Sequence, residues 1–356
     1  MKYLFHLGHP AHFHLFKNTI LYLKSKGLQV EILIKKKDIL EDLLVNADLD
    51  FKNILPDGRK DSKFGIAIGQ LKQDFKLLIH CLANRPDLLI GTSVAISHVG
   101  KLLGIPSINV NEDDAEVVPL YARLAYPWAD HILSPNVCSV GKWVDKKIGY
   151  EGYHELAYLH PNHFKADPAI VDQYFSHNDN YSIVRFAKLK AHHDTGISGI
   201  DVELARVLIS KLKLKGKVFV TSEIELPQDL ENYRTRINPL DMHHVLAFAQ
   251  IYIGDSQTMA AEAGVLGVPF IRYNDFVGRI SYLEELENKY ELGFGIRPGN
   301  HSELLEKTDF LLNLSDRKEI FQDRRRRMLD EKIDLADFFS KFVENYPQSV
   351  GIFRTG

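Results

Sequence analysis

Two groups of residues in this chain have types and spacings suited to holding an anion and moving a proton. The first is Gly254-Asp255-Ser256-Gln257-Thr258, with the carboxylate of Glu262 one turn further on. Turn formers at Gly254 to Ser256 separate the β-prone Ile251 to Ile253 from Thr258 to Leu266, where apolar residues recur at helical spacing until Gly267 and Pro269. A loop between a strand's carboxyl end and a helix's amino end gathers unpaired N–H groups and the positive end of the helix dipole, so an anion fits there. Glu262 could accept hydrogen bonds from a ribose diol beside a bound diphosphate. The second group is Gly8-His9-Pro10-Ala11-His12-Phe13-His14, three imidazoles around a helix start. Each could act on a proton, or could cap or pack. Their spacing does not put all three on one helical face, and no Asp, Glu or Cys joins them locally, so no metal site is expected.

Three further strand ends carry reactive groups. Thr92 and Ser93 follow Leu88-Leu89-Ile90-Gly91 and could hold a ligand hydroxyl or cap the next helix. Glu112, Asp113 and Asp114 follow the strand Ser107 to Val110, where a metal box and a simple exposed turn are both open. Arg185 lies in the strand Ser182 to Phe186, ahead of a loop from Ala187 to Gly199 that holds Lys188, Lys190, His192, His193 and Asp194. His193 beside Asp194 could be a base and its orienting partner, or both could belong to a solvated charged loop. Arg324 to Arg327 are flanked by Asp323, Asp330 and Glu331, so that run reads as a solvated helix face.

The elements that must position these groups follow an alternating pattern of strand and helix. Residues 1 to 34 form a βαβ unit: strand Lys2 to Leu7, the histidine loop, a helix over roughly Leu15 to Lys26, and strand Leu28 to Ile34. Phe64 to Leu82 is a long amphipathic helix, and Ala129 to Pro135 is expected to be the last strand of this half. The stretch Gly149 to Pro168 lacks periodicity and reads as a crossing between domains. The second half repeats the pattern up to the strand Gly293 to Ile296, followed by helices Ser302 to Leu312, Arg317 to Met328 and Leu335 to Tyr346. The expected domains are 1–165 and 166–334, with 335–356 as a C-terminal crossing helix and tail.

At 356 residues the chain is long enough for two cores. Its formal net charge of -3 gives no general attraction to nucleic acid or anionic lipid. Cys81 and Cys138 are far apart and lack metal spacing, which suits a reducing cytoplasm. Met1 to His14 is too short and polar for a signal peptide, and no apolar run approaches a membrane span.

Two doubly wound halves, the Gly8-His9-Pro10-Ala11-His12 loop and the block from Gly254 through Glu262 to Pro269 resemble the GT-B glycosyltransferases and the related UDP-N-acetylglucosamine 2-epimerases. Within that group the chain is similar to domain of unknown function 354. The resemblance rests also on Phe16-Lys17-Asn18, Pro86 to Ser93, Gly152-Tyr153-His154-Glu155 with Tyr158, His160 and Pro161, and Arg185 followed by His193-Asp194. It implies two Rossmann-like domains facing each other across a cleft, an acceptor side in the first and a nucleotide-sugar side in the second, with the C-terminal helix packing back across them. Arg185, Gly254, Ser256, Gln257, Thr258, Met259 and Glu262 would bind the nucleotide sugar, Glu262 at the ribose. Gly8, Thr92, Ser93 and Glu112 would lie on the acceptor side, and His9, His12, His193 and Asp194 would be catalytic. Gln257 stands where many relatives have a second glycine. The epimerases' longer acidic signature is absent, which favours a metal-independent transferase over an epimerase or hydrolase; a non-catalytic sugar-nucleotide binder is a third reading. The expected partners are a UDP-type donor and a glycan or lipid-linked acceptor in surface-polysaccharide synthesis. No cofactor and no nucleic acid are expected, and peripheral contact with a membrane stays open.

Overall fold

A computed structural model describes residues 1–56, 63–186, 199–222 and 225–353. The chain divides into two compact units, residues 1–163 with 333–356, and residues 164–332. In the first unit seven parallel strands, β1 (Lys2–Leu7), β2 (Gln29–Lys35), β3 (Lys52–Leu55), β4 (Leu88–Gly91), β5 (Ser107–Val110), β6 (His131–Pro135) and β7 (Lys147–Tyr150), lie in the order β3-β2-β1-β4-β5-β6-β7. In the second, β8 (Tyr181–Phe186), β9 (Lys217–Ser222), β10 (Ile251–Gly254), β11 (Phe270–Tyr273) and β12 (Gly293–Ile296) lie in the order β12-β11-β10-β8-β9, again parallel. Short strands such as β4, β5, β10 and β11 are buried along their whole length, as strands covered on both faces must be.

Each sheet has one point where the winding reverses. In the first it falls between β1 and β4, which pair Phe5 with Ile90 and His6 with Gly91. In the second it falls between β8 and β10, which pair Gly254 with Arg185. Strand ends at such points flank a crevice with no crossover running over it, so they are where open α/β sheets take ligands.

Several expected elements end elsewhere. The histidine loop is not a loop: the helix begins at Pro10 and runs to Ser25, because proline suits the first helical position and His9, in extended conformation, accepts from the Ala11 N–H at 3.2 Å as its cap. The first sheet continues past Pro135 with β7, so the stretch from Gly149 starts inside a strand and then turns through a short helix, Leu156–Leu159. After β11 a single α-helical turn, Ser281–Glu284, continues as a π-helix, Glu285–Lys289. Both Glu284 and Glu287 thereby reach the fully buried Arg272. The C-terminal helix Leu335–Glu344 lies on the helix Pro10–Ser25, with Phe339 stacked on Phe16 at 6.3 Å and the Tyr22 hydroxyl donating to Glu344 at 2.7 Å.

Candidate functional site

In the first unit the reversal point is narrowed by two glycines. A side chain at Gly91 would meet the His6 carbonyl at 2.4 Å, and one at Gly8 would meet Lys35 Cε at 2.8 Å. The Gly8 N–H donates to His12 Nδ1 at 3.1 Å. That bond fixes the tautomer, since an accepting Nδ1 leaves the ring proton on Nε2. Burial, with Lys35 and the other histidines nearby, holds the His12 imidazole neutral by pushing its pKa well down. His12 therefore offers an N–H donor, while exposed His9 is occupied as a helix cap.

The acidic end of β5 sorts into structural and open groups. Asp114 is buried and accepts from the Ser139 N–H at 2.7 Å, while Asn111 donates to the Tyr126 hydroxyl at 2.9 Å. Glu112 and Asp113 are half-buried, which overturns the exposed-turn expectation. Among the described residues no cluster could hold a metal ion, so the metal box is also set aside. Glu112 accepts from the His154 backbone N–H at 2.9 Å, and its other oxygen lies 3.3 Å from His154 Nδ1. Burial raises the Glu112 carboxyl to about 8 and Asp113 in the same direction, and it depresses His154 to about 3. The pair at neutral pH is thus an uncharged acid against an uncharged imidazole, and His154 Nε2 is hidden with no hydrogen-bond partner.

Thr92 and Ser93 separate cleanly. Ser93 accepts from the Ala95 N–H at 3.2 Å and caps the helix Val94–Leu103, whereas Thr92 Oγ1 is hidden and unpartnered. The Ser134 hydroxyl at the end of β6 and the Tyr150 hydroxyl at the end of β7 are also buried without partners. Such atoms cost stability unless something else satisfies them, so they mark this edge as built for polar contacts. His154, Ser134 and Tyr150 were missing from the sequence-based site. His154 lies in an aperiodic stretch, and the two hydroxyls lie on strands whose patterns report burial.

In the second unit, a side chain at Gly254 would strike the Arg185 carbonyl and the Tyr252 hydroxyl, both at 2.7 Å. The helix Gln257–Leu266 begins directly after Ser256, whose hydroxyl accepts from the Met259 N–H at 3.4 Å. Gln257, Thr258 and Met259 are its first three residues, and all are half-buried. Glu262 is buried one turn along, its carboxylate 2.9 Å from His243 Nε2. Arg185, half-buried, lies beside Gly254 in the sheet register. The sequence assigns His243 no role, and its contact with Glu262 brings it into this site. His193 and Asp194, with Lys188, Lys190 and His192, lie outside the described residues.

Two parallel-sheet α/β domains of this kind define the architecture shared by GT-B glycosyltransferases and UDP-N-acetylglucosamine 2-epimerases, and solved structures of both match the chain. The UDP-GlcNAc 2-epimerase of Neisseria meningitidis, solved bound to UDP-GlcNAc, matches with a TM-score of 0.66 at 14% identity, over 98% of this chain and 99% of that one. The Methanocaldococcus jannaschii UDP-GlcNAc 2-epimerase, solved with UDP-GlcNAc and UDP, gives 0.67 at 14% identity, over 88% and 94%. A spinosyn rhamnosyltransferase complexed with spinosyn aglycone gives 0.63 at 15% identity, over 97% and 100%. Identities this low establish the fold alone. No curated protein matches the chain. The chain belongs to the family described as "Protein of unknown function (DUF354)", which matches residues 2–280.

Proposed function

We propose that the protein is a metal-independent glycosyltransferase that takes a sugar from a UDP-type donor to a glycan or lipid-linked acceptor. The observation that carries this is the Glu112–His154 pair at the carboxyl edge of the first sheet, an acid–base couple with an unsatisfied imidazole nitrogen. When Glu112 loses its proton it accepts from His154 Nδ1–H, which leaves the Nε2 lone pair to take the proton of an acceptor hydroxyl. His12, whose proton sits on Nε2, then serves as a hydrogen-bond donor and not as the base. In the second unit the amino end of the helix Gln257–Leu266 and Arg185 stabilise a diphosphate, and Glu262, steadied by His243, takes the ribose. The nucleotide-bound neighbours support the choice of ligand class, and Gln257 at the first helical turn limits the space beside the phosphates.

A second reading, epimerisation or hydrolysis of the nucleotide sugar, draws on the same pair, because Glu112 is protonated at neutral pH and could act as an acid. The two differ in sign. A base that must be ionised gives a rate that rises with pH through about 8, whereas an acid that must be protonated gives one that falls through the same value. Incubating UDP-N-acetylglucosamine with the protein and no acceptor is the companion test, since consumption there supports epimerase or hydrolase action over transfer. A panel of nucleotides that leaves the melting temperature unmoved defeats both.

A further inference from the structure

The long helix Lys63–Asn84 is apolar on both faces. Its inner face buries Leu77 and Cys81 in the first unit's core, with Gln73 and His80. Its outer face carries Ile68, Leu71, Phe75, Ile79 and Leu82, each between 50% and 68% exposed. The spacing of three, four, four and three residues keeps all five on one stripe along four turns. A helix that covers a sheet and faces water carries polar residues on that side, and single exposed leucines are ordinary, but a continuous stripe of this length is not.

The stripe extends onto neighbouring helices. His98, on Val94–Leu103, can only donate here: Nδ1 lies 2.8 Å from Asp74 Oδ2 and Nε2 lies 2.9 Å from the Leu124 carbonyl, so both nitrogens face acceptors. It ties the long helix to Pro119–Ala125, and its ring meets Trp128 edge-on at 6.3 Å. Leu102, Leu120 and Trp128 are exposed on these segments. Among the described side chains the three helices carry four Lys and Arg residues and one carboxylate, Asp74, which faces His98. Lys72, Lys76, Lys101 and Arg123 are exposed. A chain of net charge -3 thus presents positive charge around this apolar stripe.

We propose that this face docks on an anionic lipid surface, with the helix Lys63–Asn84 lying in the interfacial plane. Apolar side chains would enter the headgroup boundary, the lysines would reach outward to lipid phosphates, and Trp128 would sit at headgroup depth, where its amphipathic ring is favoured. A second copy of the chain is the poorer occupant. A two-fold contact sets a patch against itself, which would oppose cations with cations. The proposal is independent of any role in sugar transfer.

The test is co-sedimentation of the full chain with vesicles of phosphatidylcholine alone and of phosphatidylcholine with phosphatidylglycerol. We expect binding to the anionic vesicles that weakens with salt, and a blue shift of Trp128 emission in a Trp143→Phe background. Leu71→Glu with Phe75→Glu should lose binding by roughly tenfold or more while keeping the melting temperature, because both positions are exposed. Lys72→Glu with Lys76→Glu should show a loss of similar order on a surface that stays apolar. No binding to anionic vesicles, or binding that both double variants retain, overturns the proposal. Dimers that Leu71→Glu with Phe75→Glu dissociates, without vesicle binding by the parent, would assign the face to a second copy instead.

Discussion

Gly254 sits where the backbone of one strand crowds the next, and the crowding comes from the Arg185 carbonyl as much as from the Tyr252 hydroxyl. Gly254→Ala would force its new methyl to within 2.7 Å of the Arg185 carbonyl, so the strands must part. We expect a loss of ~1–3 kcal/mol in urea unfolding, together with weaker nucleotide binding. Titration at the other site makes a separate prediction. Glu112, raised to about 8 from an ordinary carboxyl value, binds a proton more tightly folded than unfolded, so its contribution to stability is full at low pH and is lost as pH rises toward 8. His6 and His154, both pressed down to about 3 by burial, do the opposite: their contribution is full above about 6.5 and is lost as pH falls toward 3. Stability should therefore peak near pH 6.5 and decline between there and pH 8, by up to about 1.4 kcal/mol per pH unit for one group. Glu112→Gln should remove the alkaline decline in melting temperature, and a decline that persists would mean that another group causes it. Residue types alone indicated that Thr92, Ser93 and Glu112 could serve a site. Which of them a helix cap or a backbone contact had already occupied depends on hydrogen bonds between elements, and spacing along the chain does not encode those.

Elements with a strong local pattern were legible in the sequence, and the misreadings have local causes. Strand Lys2–Leu7 and strand Gly293–Ile296 end where their apolar runs end. Pro10 reads as a loop residue in the sequence, though its fixed φ and missing N–H fit the first turn of a helix, and His9 is an uncommon cap. Strand β7, Lys147–Tyr150, is only four residues long and carries Lys and Gly, too little to register as a period. The long helix reads as amphipathic, yet a single period cannot distinguish one apolar face from two, so its outer stripe is not legible in the sequence. The start of the C-terminal helix yields a prediction at this scale. Asp334 accepts from the Asp337 N–H at 3.1 Å, from Asn162 Nδ2 at 2.9 Å and faces His163 Nε2 at 2.8 Å, so one carboxylate both caps Leu335–Glu344 and holds the segment before residue 164. Asp334→Ala should lower stability by about 2 kcal/mol in denaturant unfolding. Asp334→Asn should recover part of that, because an amide oxygen still caps. Ser256→Ala, which removes the cap of Gln257–Leu266, should cost about 1 kcal/mol.

At the scale of the whole molecule, the chain crosses from one unit to the other at residues 163 to 164 and returns at 332 to 333, and each unit has its own sheet and core. The doubly wound pattern was visible in the sequence because parallel strands need helical crossovers and so alternate regularly with them. The return of residues 333–356 to the first unit was expected only through the family resemblance and not from any local pattern, because it rests on aromatic contacts such as Phe339 on Phe16 between segments more than three hundred residues apart. Two cores with separate strand-end sites lead to a last prediction, about where a nucleotide acts. If the diphosphate binds at Gly254 to Met259, UDP at about 100 times its dissociation constant should stabilise the protein by about 2.7 kcal/mol. In hydrogen exchange the added protection should concentrate on the first turn of Gln257–Leu266 and on the end of β8 near Arg185, while the Gly8–His12 segment, in the other unit, should change less. Protection centred on the first unit instead would place the nucleotide at the Gly8–Gly91 reversal point, and the roles assigned to the two sheets would then have to be exchanged.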